Sequence, residues 1–277
     1  MKEINKNITI IQSRGHNKQY FADLWKYREL FYFLSWRDIL VRYKQTVIGI
    51  AWSIIRPVLT MIIFTIIFEK IAKLPSDNVP YPILVFVALL PWQFFANALQ
   101  ASSGSLVGNA GMISKVYFPR MIIPASSIIV AFIDFLISFI ILIILMFWYR
   151  FMPDWRVVTI PLFLILAIFL TLGTGLFISS LNVKYRDFQY IVPFIIQLGL
   201  YISPVGFSSD IISKKWKIIY SLNPMVGIID GFRWAFFATR SSYLLLSVIF
   251  SIIISISILF IGVWYFRKTE RTFADRI

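Results

Sequence analysis

Six stretches of mostly apolar residues run through this chain, each at least as long as the roughly 20 residues a helix needs to cross a bilayer core of ~30 Å. They are Val47 to Phe68, Tyr81 to Ala101, Met121 to Tyr149, Val157 to Leu181, Phe188 to Phe207 and Tyr243 to Phe266. Water cannot surround so much apolar surface. Hydrophobic residues make up 59% of the 277 and charged residues only 14%, where an ordinary soluble domain carries about 25% charge. In lipid every backbone polar group must find its partner inside the structure, so runs of this length imply helices. The expected fold is an all-α integral membrane protein with six transmembrane helices.

The second and fifth runs are the most interrupted. Pro82, Pro91 and Asn97 fall in the second, and Pro193, Gln197, Gly199 and Pro204 in the fifth. Such breaks persist where neighbouring helices or water satisfy the freed backbone, so both are expected to face protein or a cavity.

Basic residues set the orientation. Putting the N-terminus inside gives that side nine Lys and Arg in residues 1–46, then Lys115, Arg120, Lys184, Arg186, Arg267, Lys268, Arg271 and Arg276. That makes 17 against nine on the other side, with Arg56 inside the first run. Both termini are therefore expected in the cytoplasm. The net charge of +14 reports loop placement and contact with anionic lipid, not nucleic acid. Residues 1–46 open with mixed charge and no basic-then-apolar leader, so the first span itself is expected to act as the insertion signal.

Two segments lie outside this scheme. Residues 208–242 contain the apolar stretches Trp216–Leu222 and Met225–Ala238, too short to cross twice. They read as a half-inserted hairpin of two short helices broken at Asn223-Pro224, because the residue before proline resists helix and proline opens a new one. An extracytoplasmic loop lying on the membrane fits the composition equally. Ahead of the first span, Leu24, Tyr27, Phe31 and Leu34 recur at helical spacing in an amphipathic segment expected at the interface. Ser35 and Asp38 resemble a capping box that would start a second helix carrying Trp36, Ile39, Leu40 and Tyr43. Packing of this segment on its own bundle is the alternative.

Chemistry is sparse. The chain has no cysteine and one histidine, which excludes disulfides and a Cys or His metal cluster. No phosphate-binding Gly-Lys-Ser/Thr loop exists, since Gly173-Thr174-Gly175 runs on into apolar residues; those glycines read as close helix contacts. Asp134 is the one acidic residue in the middle of a span, either bonded to a neighbouring helix or part of a proton relay. Arg56 either reaches back to the interface or meets an anionic head group with its fork of donors. Trp52, Trp92, Trp148, Tyr149 and Trp264 near span ends read as interface anchors or as stacking surfaces for sugars.

Several motifs then fall into a recognisable order. Leu90-Pro91-Trp92-Gln93-Phe94-Phe95, Ser105-Leu106-Val107-Gly108-Asn109, Ile113 to Arg120 with Pro124, Asn182 to Phe188, Ser203-Pro204-Val205 and Leu222-Asn223-Pro224-Met225 resemble the permease subunits of ABC exporters for cell-surface polysaccharides. Arg42-Tyr43-Lys44 with Gly49 and Trp52 is similar too, so the likeness spans residues 24–266. The resemblance implies a cytoplasmic N-terminal segment, 1–46, and a six-span transmembrane domain, 47–277. It implies a homodimer joined to two copies of a separate ATPase, which binds ATP and magnesium, so that this chain needs no cofactor and is not an enzyme. The cargo would be a polyprenyl-diphosphate-linked O-antigen, teichoic acid or capsular glycan, moved through a channel between the copies in a bacterial inner membrane. By the same resemblance Lys115, Val116, Tyr117, Phe118, Pro119 and Arg120, in a coupling loop at 108–120, would meet the ATPase. Tyr43, Trp52 and Arg56 would line the substrate entrance. Pro204, Asn223 and Pro224 would belong to the gate segment at 208–242, and 267–277 would be a cytoplasmic tail.

Overall fold

The computed structural model describes residues 17–44, 49–75, 79–238 and 243–273. The N-terminal extension, the start of the first run at Val47, and the ends of the gate segment and tail lie outside the described residues. Among those described, the chain is entirely helical. The long elements are α3 (Gly49–Thr65, prolonged by a π-helical turn Ile66–Ile71), α4 (Tyr81–Gly108), α6 (Ile122–Trp148), α7 (Ile160–Lys184, led by a 3-10 turn Trp155–Thr159) and α11 (Leu244–Thr269, followed by a 3-10 turn Glu270–Thr272). The shorter ones are α1 (Asn17–Lys26), α2 (Arg28–Lys44), α5 (Ala110–Ile113), α8 (Phe188–Ile202), α9 (Lys214–Ser221) and α10 (Pro224–Phe237). Five helices are long and apolar enough to cross a membrane.

The sixth expected span, α8, has 15 residues, or about 22 Å of helix. It nonetheless runs between the two ends of the bundle. Its start follows Val183, which belongs to a buried cluster at the first end with Leu34, Phe118, Phe266 and Phe273. Past its last residue, Gly206 at the second end accepts a 2.6 Å hydrogen bond from the Tyr81 hydroxyl at the start of α4.

The second run is not interrupted at all. α4 continues for 28 residues with Pro91 inside it, and 72% of its most apolar stretch is buried. Pro82 lies in its first turn, where a missing N–H costs no helical bond. α4 packs against α6 on one side and α7 on the other.

α7 and α11 approach closely through glycine. A Cβ on Gly173 would stand 2.6 Å from the Leu259 backbone, and one on Gly262 would stand 2.1 Å from the Gly173 carbonyl oxygen. The two spans therefore meet backbone to backbone, as small residues allow in membranes. Buried Ser247, Ser251 and Ser255 line the face of α11 one turn apart, and Ser251 donates to the Pro224 carbonyl at 2.7 Å, tying on α10.

The described residues between α8 and α11 form a 3-10 turn, Ser209–Ile211, and then two helices separated at Leu222-Asn223. Asn223 accepts from the Met225 N–H at 3.0 Å and Pro224 opens α10. α10 packs inside the bundle, since most of its residues, including Ile228, Ile229 and Phe232, are buried among α4, α7 and α11. α9, in contrast, exposes Trp216, Ile218 and Ile219.

The capping box at Ser35 is a misreading that the structure corrects. α2 runs unbroken from Arg28, the turn between α1 and α2 being at Tyr27. Ser35 is buried and donates back to the Phe31 carbonyl at 2.8 Å, while Asp38 is taken by Arg37. Leu34 sits in the first-end cluster with Leu24, Tyr27 and Phe31 packed against it. The opposite face, with Trp25, Tyr32, Phe33 and Trp36, is exposed.

Candidate functional site

The loop from Asn109 to Met121 divides the six residues expected to meet an ATPase. Val116 and Tyr117 are 57% and 60% exposed, and Lys115 beside them is exposed as well. Phe118 is 3% exposed and drops into the first-end cluster with Leu106, Ile113 and Leu176. Pro119 is buried and Arg120 half-buried. The segment thus has an outward tip, Lys115 to Tyr117, and an inward root, Phe118 to Arg120.

Carboxylate chemistry holds that root. The Arg120 N–H donates to Glu270 Oε1 at 2.8 Å, and the Arg120 guanidinium donates to the Glu270 carbonyl at 2.6 Å. Tyr20 donates its hydroxyl to the same Oε1 at 3.1 Å, and the Arg267 guanidinium lies 4.7 Å over the Tyr20 ring. Burial, and then the charge and hydrogen bond of Glu270, push the Tyr20 phenol well above its usual range.

The three residues expected at a substrate entrance separate, Trp52 and Arg56 lying on α3 and Tyr43 near the end of α2. Trp52 is exposed and Arg56, one turn on, is exposed too. Among the described residues no side-chain partner of Arg56 is recorded. Tyr43 points the other way. Its hydroxyl donates to Asp134 Oδ1 at 2.6 Å, beside Ser53, which donates to the same oxygen at 2.8 Å. Burial, then Asp134, pushes the Tyr43 phenol up to about 12. Arg42 completes the group with an ion pair to Asp134 Oδ2 at 2.5 Å. The intramembrane carboxylate is thus bonded to neighbouring helices: it fastens α2 and α3 to α6.

At the second end the gate candidates converge on one turn. Pro204 is buried between Ser203, which accepts from the Asn223 amide at 3.1 Å, and Val205, whose carbonyl accepts from Arg233 at 3.1 Å. Arg233 also donates to the Phe207 carbonyl at 2.6 Å. Asn223 and Pro204 therefore share a site, and Pro224 starts the helix that supplies Arg233.

Arg233, Arg42 and Glu270 are the residues that sequence reasoning passed over. Arg233 counted as a loop charge, although it is 6% exposed; its place in an otherwise apolar helical stretch was the available signal. Arg42 stood in a motif but 92 residues from its partner. For Glu270, beyond the last span, the sequence carries no signal.

Comparison with known proteins agrees with this architecture. The model of the family described as ABC-2 type transporter matches residues 29–237. The chain is 30% identical over 240 residues to the O-antigen export system permease protein RfbA of Klebsiella pneumoniae, covering 86% of this chain and 91% of that one. It is 27% identical to the RfbA protein of Myxococcus xanthus, over 79% of this chain and 84% of that one. The polysialic acid transport protein KpsM of Escherichia coli is 24% identical over 72% of this chain and 78% of its own length. A bundle of long apolar helices, a family match over most of the chain and relatives covered over 78% to 91% of their own length lead to one conclusion: this chain belongs to the ABC-2 type transporter family and is a transporter subunit, not an enzyme.

Proposed function

We propose that the chain is the permease of an ATP-driven exporter that moves a polyprenyl-diphosphate-linked polysaccharide, an O-antigen first among the candidates, across a bacterial inner membrane. Two copies enclose the channel, each joined to one copy of a separate ATPase that binds ATP and magnesium. α8 serves as the sixth crossing, short but end to end, and α9 with α10 forms a half-inserted hairpin on the extracytoplasmic side. The first end of the bundle, with α1, the 109–121 loop and the end of α11, is cytoplasmic, in keeping with its basic residues.

The observation that carries the channel reading is the outward face of α8. Tyr190, Phe194 and Tyr201 are exposed there, and Gln197 with them. An amide and two phenols in hydrocarbon would leave polar groups without partners, which lipid penalises. Beside that polar strip α8 exposes Ile191, Ile195, Leu198 and Ile202, and α6 and α11 expose Ile140, Ile143 and Ile144, and Ile249, Ile252 and Ile253. The faces of α6 and α11 suit acyl chains, and the polar strip of α8 suits a partner copy or a wet path for sugar. The substrate class rests on the relatives, two named for O-antigen export and one for polysialic acid transport.

On this reading Lys115, Val116 and Tyr117 touch the ATPase while Phe118 to Arg120 root the loop. Trp52 and Arg56 receive the sugar and diphosphate at the membrane-facing side of α3, with Tyr43 holding α3 from behind. Pro204, Asn223 and Pro224 shape the extracytoplasmic gate. The direct test is affinity purification of the tagged chain in mild detergent, followed by reconstitution with the co-purifying protein. An ATPase in equal amount and ATP-dependent passage of lipid-linked glycan are the expected results; a chain that purifies alone and hydrolyses nothing overturns the proposal. Capsular or teichoic glycan, or a small lipid or drug, would show as the cargo that stimulates hydrolysis instead.

A further inference from the structure

Three segments far apart in the chain meet at one carboxylate. Glu270 accepts from the backbone of Arg120 and from the hydroxyl of Tyr20, which are 150 and 250 residues away. The contact is doubled, because Arg120 also donates its guanidinium to the main-chain carbonyl of Glu270. Phe273, three residues further, is buried edge-on against Phe266 at 5.3 Å, in the same cluster as Phe118. The loop carries a few short-range bonds of its own, the Asn109 and Met112 carbonyls accepting from Met112, Ile113, Lys115 and Val116, and its helix α5 is a single turn of four residues. Its root runs directly into α6, where Ile122 and Ile123 donate to the carbonyls of Pro119 and Arg120. The polar tie from that root to the far end of the chain is the last turn after α11, clamped between the loop and α1.

A push on the exposed tip at Lys115 to Tyr117 must leave the loop through rigid contacts if it is to move a span. Phe118 passes it to a cluster of side chains, which can repack. The Arg120–Glu270 pair is directional, joining backbone to carboxylate and guanidinium to carbonyl, and charged hydrogen bonds of this kind tolerate little sliding. We propose that Glu270 is a positioning residue for energy transfer: it locks the root of the coupling loop to α11 and α1, so that displacement of the tip by the ATPase is delivered to the last span. This rests on the reading that residues 108–120 dock on the ATPase.

The test uses the full chain in complex with its ATPase in proteoliposomes, measuring glycan exported per ATP hydrolysed. Glu270→Ala is expected to keep ATP hydrolysis within about twofold and to lower the export ratio roughly tenfold, the size of effect a lost charge-assisted hydrogen bond produces. Glu270→Gln keeps an acceptor oxygen for both donors and is expected to restore most of the ratio. Should Glu270→Ala fail to assemble, Tyr20→Phe removes one donor without removing the ring under Arg267, and a fall of about twofold is expected. An unchanged ratio in Tyr20→Phe and Glu270→Ala, or a Gln variant as poor as the Ala variant, overturns the proposal. Tyr117→Ala separates the two readings. If it uncouples export while the Glu270 variants do not, only the clamp is wrong; if it leaves coupling intact, the docking of the loop is wrong.

Discussion

α4 and α8 look alike in the sequence, each an apolar run broken by prolines and an amide, yet they occupy opposite situations. α4 is the buried axis of the bundle, with Phe86, Ala88, Phe94 and Ala98 inside, while Val192 is the single buried residue of α8. The prolines did not decide this. Pro82 sits where a helix loses nothing by it, and Pro91 is tolerated because α6, α7 and α10 surround that stretch. What differs is the circumference. The first half of α4, Tyr81 to Trp92, is apolar on all its faces and buried almost throughout, as a helix enclosed on every side must be, whereas α8 gives one edge to α4 and turns Gln197 and its tyrosines outward. Interrupted runs thus take two positions, one in the core and one on the outside of the bundle, the latter being the wall of the proposed channel.

The contrast can be broken first where α8 is anchored. Arg233→Ala removes the two bonds to the Val205 and Phe207 carbonyls and leaves Asp230 buried without the stronger of its two neighbouring cations, Lys217 being the other. Breaking a buried charged contact in this way costs about 4 kcal/mol, and the thermal midpoint of the detergent-solubilised chain should fall accordingly. Within α4 itself, Phe94→Ala empties a site packed edge-on against Phe135 at 6.1 Å. A loss of about 3 kcal/mol is expected, in the range for buried phenylalanine. A variant that melts like the parent would mean that α4 is not the core.

Where the two helices cross, Gly199 of α8 lies against the Trp92 ring of α4. A Cβ there would meet the ring at 2.6 Å, so Gly199→Leu must shift the indole or lever α8 outward. Overpacking of this kind costs about 2 kcal/mol. Export should drop more than stability, because the wall moves while the core stays. Equal losses in transport and thermal midpoint would place α8 in the core after all.

How far the sequence disclosed this depends on the range of the interaction. Five of the span positions were legible because hydrophobic length is local information, and the α9–α10 break at Asn223-Pro224 because capping chemistry is local too. Gly173 and Gly175 announced close contact, and both deliver it, against the α11 backbone and the Ser102 hydroxyl. Ser35 misled because its spacing to Asp38 is common by chance, and a serine inside a helix can bond four residues back. Asp134 looked solitary because its partners come from α2 and α3, 92 to 81 residues away, on segments read as interface and first span. The division of residues 115–120 into tip and root was illegible, since Tyr117 and Phe118 differ by one hydroxyl and the fold alone decides which is covered.

The smallest stability effect is expected on the α8 face that the proposed channel would use. Phe194 is 60% exposed, so Phe194→Ala removes little buried surface and should change the thermal midpoint of the single chain by no more than about 0.5 kcal/mol in stability. If α8 faces lipid, the same variant should also export normally. If it lines the seam or channel between two copies, export should fall while stability holds. The absence of cysteine from the chain makes the distinction direct. Phe194→Cys introduces the one thiol present, and a thiol-specific bifunctional reagent can then join copies only where α8 meets its counterpart. A cross-linked dimer, set against none for Ile253→Cys on the aliphatic face of α11, assigns the two exposed surfaces to protein and lipid. Cross-linking through α11 and not α8 would reverse the assignment and return Gln197 to the lipid, where its amide would have no partner to justify it.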